Sequence, residues 1–139
     1  MNSEVVSPVT STRSLDLCAA GLSFLCLLHC VALPFLAVLL PATAALAEAE
    51  WVHRVLVLMA APISFFVLSR TTAEQGRATF AVLALTGLAL LFSGAFVEAL
   101  EAHEQWITVV GASLVGGAHL NHWFRQRQSD QARRSPARA

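Results

Sequence analysis

Two thiols and an imidazole stand together in Cys26-Leu-Leu-His29-Cys30, and Pro34 follows one turn later. At about 100° per residue, positions 26, 29 and 30 share one face of a helix. All three side chains can then converge from a single element, as paired histidines one turn apart do in zinc enzymes. Thiolate and imidazole select soft or borderline ions such as zinc, copper(I) or mercury(II) over calcium and magnesium. Cys18 projects from nearly the same side, about 12 Å earlier along the axis from eight residues of helix rise. Proline lacks an N–H and crowds the carbonyl four residues back, so Pro34 predicts a kinked or opened turn and a free carbonyl at Cys30. A cysteine taken singly reads as a small buried hydrophobe. Grouped with His29 in an apolar segment, Cys26 and Cys30 read as a metal site, because ionisable groups at membrane depth are functional by default.

Other polar groups are fewer. His119 and His122 lie one turn apart on the side that carries Ala112 and Gly116. Small residues mark faces where membrane helices approach closely, so His119 is a candidate weaker contact for a departing ion, as is Cys18. His122, beside Trp123 and Arg125, reads as interfacial. Glu98, Glu101, His103 and Glu104 cluster between two apolar runs, and His53 opens another. Carboxylate and imidazole there could gather cations, which makes His53, Glu101 and His103 further candidate metal contacts. Glu48, Glu50 and Glu104 read as an ordinary solvated loop. The sequence has no phosphate loop, nucleophile elbow or paired-carboxylate arrangement, so a hydrolase or kinase is not expected and the chain is read as a non-enzyme.

The elements that must position these groups are membrane helices. The chain has 139 residues, is 56% hydrophobic and only 13% charged, and has a net charge of zero. Ordinary globular chains carry about twice that share of charge, and a basic nucleic-acid partner is not expected. Runs free of Asp, Glu and Arg predict an all-α bundle of four transmembrane helices near 17–40, 51–69, 78–100 and 106–124, each close to the roughly 20 residues a bilayer needs. Residues 26–30 then fall near mid-depth. Residues 1–16 and 125–139 read as polar tails. All the basic residues are arginines, and only Arg54 falls outside the tails and the middle loop. The positive-inside rule then puts both termini in the cytoplasm with four crossings. A cleaved signal peptide ending at Ala45-Leu46-Ala47 is the competing reading, but the apolar run far exceeds the usual 7–15 residues.

With Cys-x-x-His-Cys before a proline, Leu40-Pro41 after the first helix, His53 opening the second and His119-Leu-Asn121 closing the fourth, residues 14–127 resemble the MerC-domain family. The resemblance implies an inner-membrane protein of mercuric-ion uptake whose metal site is the first-helix cysteine pair, here Cys26 and Cys30. Mercury-resistance members carry Cys-x-x-Cys, whereas the spacing here is one longer with His29 between. Their C-terminal cysteine pair is missing from this tail. The expected cargo is therefore mercury, with zinc or copper as alternatives, and no permanently bound cofactor is expected. The bilayer and the ion are the expected partners. A metal-binding accessory or sensor is the alternative. A membrane thiol oxidoreductase would need two exposed dithiol pairs, and a haem bundle on His29 and His119 would need ligands at one depth.

Overall fold

A computed structural model describes residues 8–40, 50–72 and 76–134. Among these residues four α-helices, α1 (Pro8–Leu39), α2 (Glu50–Arg70), α3 (Arg77–Phe96) and α4 (Glu104–Arg134), follow one another, with a 3-10 helix (Glu98–His103) between the last two. No strand occurs among the described residues. The helices pack as a ring in which α1 and α3 each touch both α2 and α4. Gly76 makes the turn into α3 with a φ of 78°, a left-handed conformation that glycine adopts without a Cβ penalty.

Many large apolar side chains point outward, and small residues make up much of the interior. Phe24, Leu28, Leu58, Phe65, Val82 and Phe92 are exposed, whereas Ala19, Ser23, Ala60, Ser64, Ala84, Ala112 and Ala118 are buried. A water-soluble core has the opposite arrangement. This one suits lipid outside and close helix contact inside. The closest contact joins α3 to α4. A Cβ built on Gly111 would stand 2.9 Å from the carbonyl oxygen of Gly87, and one on Gly87 would stand 2.8 Å from that of Gly111. On the neighbouring face of α4, Gly116 admits Ser23 of α1.

Among the described residues three segments, Thr12–Ala32, Trp51–Arg70 and Arg77–Phe96, are long and apolar enough to cross a membrane. The expected fourth, 106–124, is not among them. Its helix forms, but His119 and His122 lower its mean hydropathy while lying buried inside the bundle. The expected tails are also shorter than their composition suggests. Helix α1 starts at Pro8 and α4 runs on to Arg134, because the two ends pair. Arg13 bonds Asp130 at 2.6 Å, and Asp16 is fully buried against α4. Helix α3 ends at Phe96 rather than near 100, and the 3-10 helix takes up the acidic segment. The segment with Pro41, Glu48 and the Ala45-Leu46-Ala47 sequence lies outside the described residues.

Candidate metal centre

Helix α1 places Cys26 and Cys30 one turn apart on its inward face, and both are buried free thiols. Their third partner comes from another helix. The donor atoms of Cys26, Cys30 and His53 all lie within 4.8 Å of one another, and no other three His, Cys, Asp or Glu side chains come together in this way among the described residues. Any three points so spaced have a common centre within about 2.8 Å of each, a small adjustment away from bond lengths of about 2.3 Å to sulfur and 2.0 Å to nitrogen.

The orientation of His53 favours coordination. Its Nδ1 lies 3.1 Å from Glu104 Oε1, and its Nε2 lies 3.0 Å from Cys30 Sγ. With Nδ1–H donating to the carboxylate, the Nε2 lone pair faces the thiol. Metal-ligating histidines are commonly fixed in this way by a carboxylate on the far nitrogen. In the absence of an ion, Nε2 accepts the Cys30 S–H. Glu104, read from sequence as part of a solvated loop, is therefore the residue that aims His53. It also lines a cavity of about 120 Å³ with Arg54 and the end of α3.

Pro34 acts as expected in one respect. It cannot donate to the carbonyl of Cys30, and the amide of Gln105 supplies the missing bond at 2.8 Å. That carbonyl is thus already bonded, and α1 continues as helix through Pro34. The partners of Cys30 belong to the first turns of α2 and α4. The centre consequently sits at one end of the bundle, not at the middle, because α1 overhangs the helices it packs against.

His29 is not part of this set. Its ring meets that of His53 edge to face, with centroids 4.8 Å apart, and its buried Nε2 has no hydrogen-bond partner. It supports the ring of His53. Cys18 is exposed on α1 and lies outside the cluster. Glu101 and His103 fall in the 3-10 helix, with His103 exposed.

His119 belongs to a second buried group. Its Nδ1 lies 2.7 Å from Asp16 Oδ1, and His122 Nδ1 lies 2.7 Å from Asp16 Oδ2. On the far side, His119 Nε2 meets Ser64 Oγ at 3.0 Å and His122 Nε2 meets Thr71 Oγ1 at 3.2 Å. Both rings are hydrogen-bonded through both nitrogens, and they lie outside the Cys26, Cys30 and His53 group. His122 is not interfacial but 2% exposed. Sequence reading missed Asp16 altogether, although an acid at the edge of an apolar run with histidines on a distant helix was the available signal.

The family model for the MerC mercury resistance protein matches residues 16–124, so the chain belongs to that family. No curated protein and no solved structure matches it. Membership implies a role in mercury-related membrane transport or resistance.

Proposed function

We propose that this MerC-family chain binds a soft divalent cation, mercuric ion foremost, at Cys26, Cys30 and His53 and passes it inward across the bacterial inner membrane. The observation that supports this reading is the convergence of two thiols and a carboxylate-oriented imidazole from two helices. In it, α4 is the fourth crossing, since its polar side chains are turned inward, and both termini are cytoplasmic. The centre then lies toward the outer face. An arriving cation displaces the two thiol protons to water, and His53 Nε2 turns from accepting S–H to binding the ion. Neutralisation by the metal is what makes thiolates tolerable there.

The test is metal stoichiometry on the detergent-purified chain, together with uptake of mercury, zinc and copper into vesicles. The parent should bind one mercuric ion and accumulate it. Replacing Cys26→Ser and Cys30→Ser together should abolish both. Parent-like binding by that double variant would overturn the assignment. Binding without uptake in the parent would overturn transport and leave a binding protein. Reporter fusions after Ser129 should read cytoplasmic, and an external signal there would refute the four crossings.

A further inference from the structure

We propose that Asp16, His119 and His122 bind one exchangeable proton, and that this proton fastens α2 to α1 and α4 at the end of the bundle opposite the metal centre.

The argument is a count of hydrogens. Four short N···O contacts radiate from the two rings, two to Asp16, one to Ser64 and one to Thr71, and each needs one hydrogen. The Ser64 hydroxyl can supply its own. The Thr71 hydroxyl has a single hydrogen, and its contact with the carbonyl of Val67 at 2.8 Å is shorter than that with His122 Nε2 at 3.2 Å, so the hydrogen goes to Val67. Three hydrogens must therefore come from Asp16, His119 and His122. A carboxylate with two neutral imidazoles carries only two. The third rides on His122 Nδ1 with Asp16 ionised, or on Asp16 with His122 protonated at Nε2 alone. Both forms leave Nε2–H donating to Thr71.

Charge leads to the same result. With three protons the group is neutral, and with two it carries one negative charge. Asp16, His119 and His122 are all nearly inaccessible to solvent, where an unpaired charge is costly. Among the described residues no cation is bonded to the group. On α1 the nearest is Arg13, bonded to Asp130. Helix α2 presents only the hydroxyls of Ser64 and Thr71, and its Arg70 is exposed over Phe66. Helix α3 presents Phe80, whose ring lies 5.0 Å from His119 and 5.2 Å from His122, with Arg77 exposed. On α4, Gln126 lies 3.3 and 3.4 Å from the two nitrogens of His122, a position over the ring face that takes neither in-plane hydrogen bond. Arg125 is exposed.

Losing the third proton sets the Nε2 lone pair against the Thr71 oxygen. The hydroxyl must then turn from Val67 or the contact must open, and a buried negative charge is left behind. Since these bonds tie α2 to the other helices here, release loosens this end. The use of that loosening as an inner gate for the cation rests on the transport reading above, whereas the proton and the fastening do not.

The test therefore uses the metal-free full chain in detergent. Histidine labelled with ¹⁵N reports ring protonation across pH 5 to 9, with His119→Gln and His122→Gln to assign signals. Infrared difference spectra report any carboxylic acid. Deuterium uptake over 64–72 is compared with α3 after correction for intrinsic rates. His122 Nε2 should be protonated, with the third hydrogen seen on His122 Nδ1 or on Asp16. As pH rises, one proton should leave in a single step, with uptake over 64–72 rising about tenfold. Thr71→Val removes the acceptor of His122 Nε2–H, so the variant should give up the third proton at a lower pH than the parent. Two neutral Nδ1–H rings on a carboxylate throughout the range in the parent would overturn the proposal, as would a titration without a change in exchange. Both readings come from the parent, so they stand even if a variant fails to fold.

Discussion

Removing the carboxylate behind His53 tests the metal centre without touching a donor atom. Glu104 Oε1 holds the His53 Nδ1 hydrogen at 3.1 Å while Nε2 points at Cys30 Sγ, 3.0 Å away. With that contact gone, the ring is free to turn about its side-chain torsions, and its basicity falls. Loss of such an outer partner costs about 10- to 100-fold in metal affinity, or about 1.4 to 2.8 kcal/mol. Glu104→Gln keeps an oxygen that can accept Nδ1–H and loses only the charge, so it should lie at the tenfold end. Glu104→Ala removes the acceptor and should approach a hundredfold. Zinc should suffer more than mercury, since mercury is satisfied by two sulfurs and zinc seeks four ligands. Competition against a chromogenic chelator on the detergent-purified chain measures both ions, with circular dichroism as a control for helicity. If Glu104→Ala binds zinc as tightly as the parent while Cys30→Ser does not, the imidazole is no ligand and the reasoning fails.

Gly111→Ala drives its Cβ against the Gly87 carbonyl and the Leu91 backbone nitrogen at 2.9 and 3.1 Å, and overpacking of this kind costs about 1–3 kcal/mol. Its thermal unfolding midpoint in detergent should fall, whereas Gly117→Ala, with nothing within 4 Å, should hold or raise it; equal shifts would refute the close-contact argument. Gln105→Ala strands the Cys30 carbonyl, at a cost of about 1–3 kcal/mol if it stays shielded from water. The same change in a Pro34→Ala background should cost much less, because the helix then provides its own N–H, and an unchanged cost would show that Gln105 acts elsewhere.

The helices were legible because lipid imposes a length and a composition, and the paired thiols because one helix turn brings Cys26 and Cys30 to one face. Their third partner was not fixed by spacing. His29 shares that face on a helical wheel, but its ring lies against His53 rather than in the donor set, and His53 arrives from another helix with Glu104 behind it. No local period encodes such a meeting. The available clue was that His53 and Glu104 each open an apolar helix, so an alternating topology puts them at one end of the bundle. The expected mid-depth position failed for a related reason. It assumed that α1 begins where charge ends, and Asp16 makes that assumption wrong.

Delimiting spans by the absence of charge discards any ionised side chain that finds its partner inside the bundle. Asp16 was counted with a tail because it is acidic, although it is buried because His119 and His122 take both of its oxygens. The result is a molecule with polar contacts at its two ends and little between them. Asp16 precedes Cys26 by ten residues, about 15 Å of helix rise. Val57, Ala60, Leu88, Leu91, Ala112 and Val115 fill the bundle core around Cys26, with the hydroxyls of Ser23 and Ser64 buried alongside. On the proposed route, a cation leaving the thiols would meet this dry layer for as long as the helices stay closed. The glycine contact holds α3 to α4 backbone to backbone, whereas α2 is tied across the bundle to α4 through His53 at one end and through Ser64 and Thr71 at the other. Helix α2 is also held to α3 by Arg54, whose Nε donates to the carbonyl of Ala95 at 3.2 Å. The movement of α2 that the proposed transport would need therefore has to break this tie as well as those through His53, Ser64 and Thr71.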